Sequence, residues 1–256
     1  MIMSGRYFLS RSRMIQFLDT LESKATSGYS LNIPPGNPQT EVESLLEEIM
    51  DRETIPQELG KIISGSKTGA VLFVRLPRSY LILPPFPIPE TKSTSGYAIE
   101  PLRSMLEHEY RIALVLVRLG AYAIGICEGE RLITSKVGTG LIHGRHKKGG
   151  SSQQRFRRHR EKQIEYFLTR VCTHVQEYFE SQSLDYVVYG GARTTILLLQ
   201  KRCPFLQRFD NRSLPPLLDI PEPRRAVLDT AAGRIWSSEI IELPDNTEMA
   251  MLNDSV

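Results

Sequence analysis

Three observations in this sequence predict an α/β protein whose larger part is a mixed sheet carrying one long helix. First, three strand-like apolar runs, IALVLVRLG, YAIGICEG and RLITSKVG, follow one another with only Gly-Ala and Glu-Gly-Glu between them. Such spacing is that of an antiparallel meander. Second, from about Ser151 to about Ser181 the residues Phe156, Ile164, Phe167, Leu168, Val171, Cys172, Val175, Tyr178 and Phe179 recur at i, i+3, i+4 intervals. That stripe marks an amphipathic helix of roughly 45 Å at 1.5 Å per residue. Third, DYVVYGG reads as a short buried strand ending in Gly190-Gly191, and ARTTILLLQKR after it as a helix. Three strands, a helix, a strand and a helix suggest a sheet of ribonuclease-H-like type.

Ahead of this lies a smaller α+β region. Met14, Ile15, Phe17, Leu18 and Leu21 place a helix over residues 10–24, and YSLNIPP reads as a strand closed by Pro34 and Pro35. A second helix is expected from about Gln39 to Met50, with Val42, Leu45, Leu46 and Ile49 on one face, and a shorter one from about Gln57 to Ser64. AVLFVRLPRSYLILPP splits at Leu-Pro-Arg-Ser into a hairpin. The stretch Pro84 to Pro89 and the polar KSTSG after it carry neither helix nor strand signal, which puts a boundary near residues 86–100. The expected domains are therefore 1–98 and 99–256. A short helix around Pro101 to His108 opens the second, and its tail, from LPPLLDI to RIWSSEIIE, is expected to add a strand and a helix.

Composition narrows the class. Hydrophobic residues make up 41% and charged residues 24%, as in soluble globular proteins. The three cysteines, Cys127, Cys172 and Cys203, are odd in number and widely spaced. Neither a disulfide framework nor a CxxC metal site is expected of them, which fits a reducing cytoplasm. Arginines and serines break the N-terminal apolar run, and no stretch is long enough to span a bilayer, so no membrane is expected among the partners.

Charge is concentrated in one place. Between His143 and Gln163, Arg145, Lys147, Lys148, Arg155, Arg157, Arg158, Arg160 and Lys162 stand against Glu161 alone, in a chain whose whole net charge is +3. A nearly single-signed run that begins at Gly149-Gly150 is an electrostatic footprint for the phosphates of nucleic acid. The plainer reading of such a run is a solvated helix face.

Catalysis is constrained by what the same stretch lacks. Two-metal cleavage needs converging carboxylates, yet IALVLVRLG has no Asp or Glu, and Glu128 and Glu130 fall in a hairpin turn. His143 and His146 have no Cys or carboxylate near them to complete a metal set, so neither metal nor cofactor is expected. Ser151 and Ser152 lack an orienting acid for a nucleophilic role. Ser151 with Gln154 three residues on fits a capping box, which leaves Gln153 facing outward. A glutamine amide does not titrate, but it can orient a water, and a backbone N–H beside it can stabilise negative charge. Helix initiation alone is the plainer reading of both glutamines.

Strand meander, basic glycine loop with glutamine, long helix, strand ending in Gly-Gly and helix together resemble the catalytic middle domain of the archaeal and eukaryotic class-1 peptide release factors. The spelling KKGGSSQQRFRRHREKQ is closer to their branch in ribosome-associated quality control, the Vms-type tRNA hydrolases and their bacterial relatives. The resemblance covers about residues 110–200. It implies a Gly-x-x-Gln loop at Gly150-Ser151-Ser152-Gln153, with Gln153 in the place of the catalytic glutamine and Gly149 and Gly150 in that of the loop glycines. Gln154 is the adjacent alternative. It further implies that the cations contact rRNA and tRNA, with the large ribosomal subunit and peptidyl-tRNA as partners and no DNA. The N-terminal region has no Asn-Ile-Lys-Ser tetrapeptide, and the chain stops before the termination factors' third domain, so codon-independent release is the implied activity. Two alternatives stay open: a metal-independent nuclease cutting tRNA near its 3′ CCA end, and a non-catalytic, Pelota-like ribosome binder.

Overall fold

A computed structural model of the chain describes residues 5–24, 28–74, 78–144 and 151–243. In order these form β1 (Gly5–Leu9), α1 (Arg11–Lys24), β2 (Tyr29–Ile33), α2 (Gln39–Glu47), α3 (Leu59–Gly65), β3 (Ala70–Val74), β4 (Ser79–Leu83), β5 (Lys92–Ser95) and α4 (Glu100–Glu107). They continue with β6 (Arg111–Arg118), β7 (Ala121–Glu128), β8 (Arg131–Thr139), α5 (Ser151–Phe179), β9 (Tyr186–Gly190) and α6 (Arg193–Arg202). A 3-10 stretch, Pro204–Arg212, then leads to α7 (Arg225–Ile235) and β10 (Ser238–Leu243).

The chain divides into two units, and not at the position expected. Among the described residues, one unit takes the chain up to residue 108 together with 233–243; the other falls within 109–232. The division expected at 98/99 is therefore corrected at both ends. α4 belongs to the first unit, where Arg103 bridges it to Asp19 (2.6 Å) and Glu22 (3.4 Å) of α1. β10 returns to the first unit's sheet and pairs antiparallel with both β1 and β4. The proline-rich stretch is no linker either. Phe86 and Ile88 are buried among those prolines, and Phe86 packs edge-on against Trp236 at 4.7 Å. The polar KSTS run, which carries no strand signal, is β5: it joins the sheet through backbone pairing with β2 and needs no apolar side chains to do so. The six strands run in the order β1-β10-β4-β3-β2-β5, with every pair antiparallel.

The second unit holds the four-stranded sheet β8-β7-β6-β9. β6, β7 and β8 form the antiparallel meander, and β9 lies parallel to β6, so this sheet is mixed. β6 and β7 are buried along nearly their whole length, which matches their continuous apolar sequences, since each is covered on both faces. On one face Ala113, Val115, Val117, Tyr122, Ile124 and Ile126 meet Phe167, Leu168, Val171, Val175 and Phe179 of α5 and Ile196 and Leu199 of α6. Each such fully buried Leu, Val or Phe stabilises the fold by about 1.5–3 kcal/mol relative to exposure.

The cysteine expectation is corrected. Cys172 of α5 and Cys203, just beyond α6, form a disulfide, with Cα atoms 5.4 Å apart. They stand 31 positions apart in sequence, and only the packing of α5 beside α6 on one sheet face brings them together. Cys127, on β7, is the buried free thiol, and burial pushes its pKa up to about 12. Protein purified without reductant should therefore resist iodoacetamide while folded, show one reactive thiol when unfolded, and show three after reduction. Mass spectrometry of the alkylated chain reads this directly; three reactive thiols in the unfolded, unreduced chain would mean that the pair does not close.

Candidate functional site

The basic stretch lies at one end of the second unit. β8 finishes at Thr139, the chain passes 140–144, and α5 begins at Ser151. Of the residues singled out from sequence, Arg145, Lys147, Lys148, Gly149 and Gly150, with His146, lie outside the described residues. Gln153 lies in the first turn of α5, and the conformation of its side chain, like those of Ser151 and Ser152, is also outside them. The expected Ser151–Gln154 capping interaction falls with it. Gln154, Arg155, Arg157, Arg158 and Lys162 are exposed, and Arg160 is half-buried.

α5 has two halves with different jobs. From Phe167 onward its apolar stripe is buried against the sheet; from Gln154 to Tyr166 no residue is fully buried. The buried half is fastened on several sides. The Tyr122 hydroxyl of β7 lies 2.6 Å from Nδ1 of His174. Burial raises the Tyr122 pKa above its ordinary value, partly offset by the Arg170 cation, so the phenol stays protonated and available as a donor. Arg170 donates to the carbonyl of Thr139 at the end of β8. Glu165 pairs with Arg202 of α6 at 2.6 Å, and Cys172 is bonded to Cys203.

Further toward the tip a second fastening joins the chain entering the loop to the helix leaving it. Arg160 Nε donates to the His143 carbonyl (3.0 Å), and the His143 N–H donates to Gln163 Oε1 (3.1 Å). The His143 and His159 rings stack at 6.0 Å, and Gln163 Nε2 lies 3.3 Å from His159 Nε2. Ile142, one residue back, packs on the core. His143 therefore stands beside helix position 160, about 14 Å along the axis from position 151 at 1.5 Å per residue. Sequence reasoning missed this latch. Its one visible sign was His159 and Gln163 four apart amid cations, with His143 ahead of the loop, a pattern with no specificity by itself.

The latch also sorts cations that sequence counting treats alike. Arg160 is engaged with backbone, and Arg157 sits 3.6 Å from Glu161. Arg155, Arg158 and Lys162 make no ion pair among the described residues, and at i, i+3 and i+7 they share one face of α5. Tyr166, 72% exposed, stands on that face, while Phe156, 55% exposed, lies about 100° round the helix from Arg155, on the side of the apolar stripe. Cations without ion pairs beside an exposed aromatic ring are the kind of surface that can hold phosphates and stack a base. Among the described residues no group of three or more His, Cys, Asp or Glu could hold a metal ion, and no helix is long and apolar enough to cross a membrane.

Comparison with known proteins follows this geometry. Residues 110–241 match the family of the Actinobacteria/chloroflexi VLRF1 release factor. The chain is 28% identical over 185 residues to peptide chain release factor subunit 1 of Aeropyrum pernix, covering 62% of this chain and 50% of that protein. To the protein of the same description in Methanopyrus kandleri it is 26% identical over 211 residues, covering 72% and 52%. The chain thus spans about half the length of these curated relatives. Among solved structures, the archaeal translation termination factor aRF1 aligns over 89% of this chain and 73% of its own, at 18% identity and a TM-score of 0.41. The family match takes in the meander, all of α5, β9 and α6, more than half of the chain, and the protein belongs to the Actinobacteria/chloroflexi VLRF1 release factor family.

Proposed function

We propose that this protein is a ribosome-associated peptidyl-tRNA hydrolase that releases nascent chains from stalled large subunits without a stop codon. The observation that carries the reading is the tip of α5: Gln153 lies in the first turn of a helix whose leading half stands clear of the core and bears a basic face with Tyr166 on it. Membership in a release factor family supports it. The order β8-β7-β6-β9, with the fourth strand parallel beside the first of a meander, supports the ribonuclease-H-like description of the unit that mounts this helix.

The chemistry asked of the tip is modest. The first N–H groups of a helix have no partners within it, and the helix dipole places partial positive charge there. A scissile ester held at the start of α5 meets donors aimed at the oxyanion that forms when water attacks its carbonyl. Gly149 and Gly150 allow backbone to approach the ester, Gln153 orients the attacking water, and Gln154, its neighbour, is assigned to the helix start. Arg145, Lys147 and Lys148 in the loop, with Arg155, Arg158 and Lys162 on the helix, hold tRNA and rRNA phosphates on the way in. Rate enhancement then rests on positioning and charge stabilisation, with no titrating group from the protein.

The test is single-turnover release of labelled peptide from isolated large subunits carrying peptidyl-tRNA. Release is expected in the absence of mRNA, and the tRNA produced should keep its 3′ CCA end. A tRNA shortened at that end would replace hydrolysis by nuclease action. Binding without release would leave a Pelota-like binder, and dependence on a stop codon would overturn codon independence.

A further inference from the structure

The second unit carries another candidate site, built on different elements from the α5 tip. β6 and β9 are its parallel pair, in a register that sets Leu116 beside Gly190, so the two strands end together at Arg118 and Gly190. Parallel strands in α/β sheets present the helix N-termini that follow them at this carboxyl edge, which is where such sheets take ligands. A cavity of about 610 Å³ opens there, its lining including Arg118, Gly120, Ala192, Thr194, Thr195 and Glu222.

The turn from β9 into α6 is shaped for a close approach. Gly191 has φ of 122°, and a Cβ there would collide with the Val117 carbonyl, so only glycine lets the turn lie against β6. α6 then opens at Ala192 with no side-chain cap. Its first backbone donors within the helix are the N–H groups of Thr195 and Ile196, both to the Ala192 carbonyl at 2.8 and 3.1 Å. The N–H groups of Arg193 and Thr194 have no partner among the described residues. Thr195 supplies an independent sign. It is only 4% exposed and lines the cavity, and its hydroxyl makes no hydrogen bond among the described residues yet is not sealed from solvent. A hydroxyl that is open to the cavity and uncommitted within the protein can bond a ligand there.

Donors dominate this lining. Arg118 is exposed and makes no ion pair among the described residues. Glu222 also lines the cavity, but its carboxylate is held by Arg224 at 2.6 Å. Two orphan N–H groups at a helix start, a hydroxyl and a guanidinium form a donor set for a tetrahedral oxyanion. The volume exceeds what a free phosphate ion fills, given that liquid water takes about 30 Å³ per molecule.

We propose that this cavity binds the phosphate of a nucleotide, with the α6 N-terminus, Thr195 and Arg118 as its ligands. The nucleotide is either free or part of an RNA strand. The site is separate from the α5 tip, and the proposal does not rest on the release activity.

The experiment titrates the full chain with inorganic phosphate, AMP and a short single-stranded RNA, read by calorimetry. An Arg155/Arg158/Lys162→Ala background removes binding along α5, and melting curves are taken alongside. Saturable binding of AMP or the oligonucleotide is expected to persist in that background. Arg118→Ala should weaken it about tenfold or more, as for loss of a charge-assisted bond. Thr195→Val, which keeps the shape and removes the hydroxyl, should also weaken it. AMP binding identifies a free nucleotide as the ligand, and binding of the oligonucleotide alone identifies RNA. No saturable binding by any probe, or binding that both single variants leave unchanged, overturns the assignment.

Discussion

Gln153→Ala is expected to slow single-turnover peptide release by about 10²–10³, the usual loss when one preorganised group at a developing oxyanion is removed. Folding and subunit binding should stay near wild type, because position 153 lies in the first turn of α5, away from the buried stripe that begins at Phe167. Gln154→Ala should instead cost about 1 kcal/mol or less of helix stability, with a smaller change in rate. Gly150→Val should inactivate as Gln153→Ala does, by restricting the backbone of the loop. Measured side by side with melting curves, the two glutamine variants fix the register. A dead Gln154→Ala with an active Gln153→Ala would move the catalytic glutamine by one residue. Full activity in both would remove the loop from the chemistry and favour the binding-protein reading.

The second large effect belongs to the basic face. If Arg155, Arg158 and Lys162 each neutralise one phosphate, replacing all three by Ala should flatten the dependence of log affinity on log salt by about 2–3 units. For the wild type, the same three contacts account for a loss of about 20–40-fold in large-subunit affinity over a fourfold rise in salt. Arg157→Ala should change the slope less, since its partner Glu161 already screens it in part. Arg160→Ala should act mainly on the release rate, because its guanidinium holds the His143 carbonyl. Sedimentation of the protein with large subunits across a salt series reads the slopes, and single-turnover peptide release reads the Arg160 variant. A slope unchanged in the triple variant would make the face solvated surface only.

The contrast between Arg160 and its neighbours shows where sequence stops being informative. Periodicity exposes the buried stripe of α5, since Phe167, Val171 and Val175 obey a helical repeat whatever lies opposite them. The meander is equally legible, because β6 and β7 are apolar on both faces and end in glycine turns. Partners brought together by packing are not. Cys172 and Cys203, or His143 and Gln163, are joined only after helices and sheet have assembled. The same holds for β10, whose SEIIEL gives a strand signal and no hint that its partners are β1 and β4. Thr195 shows a third case: it reads as an ordinary helix residue, and only the uncapped start of α6 at the end of β9 gives its hydroxyl a possible use.

The latch between His143 and the 159–163 turn can be viewed as a problem in beam mechanics. A rod clamped at one end yields at its tip in proportion to the cube of its unsupported length. Held only from Ile164 onward, where the helix packs on the core, α5 would overhang by thirteen residues, about 20 Å at 1.5 Å per residue. With Arg160 tied to His143 the overhang falls to nine residues, about 14 Å. The tip becomes roughly threefold stiffer on that scaling, and its thermal excursion shrinks by a factor of about 1.7, where a misplacement of about 1 Å can cost about 10² in rate.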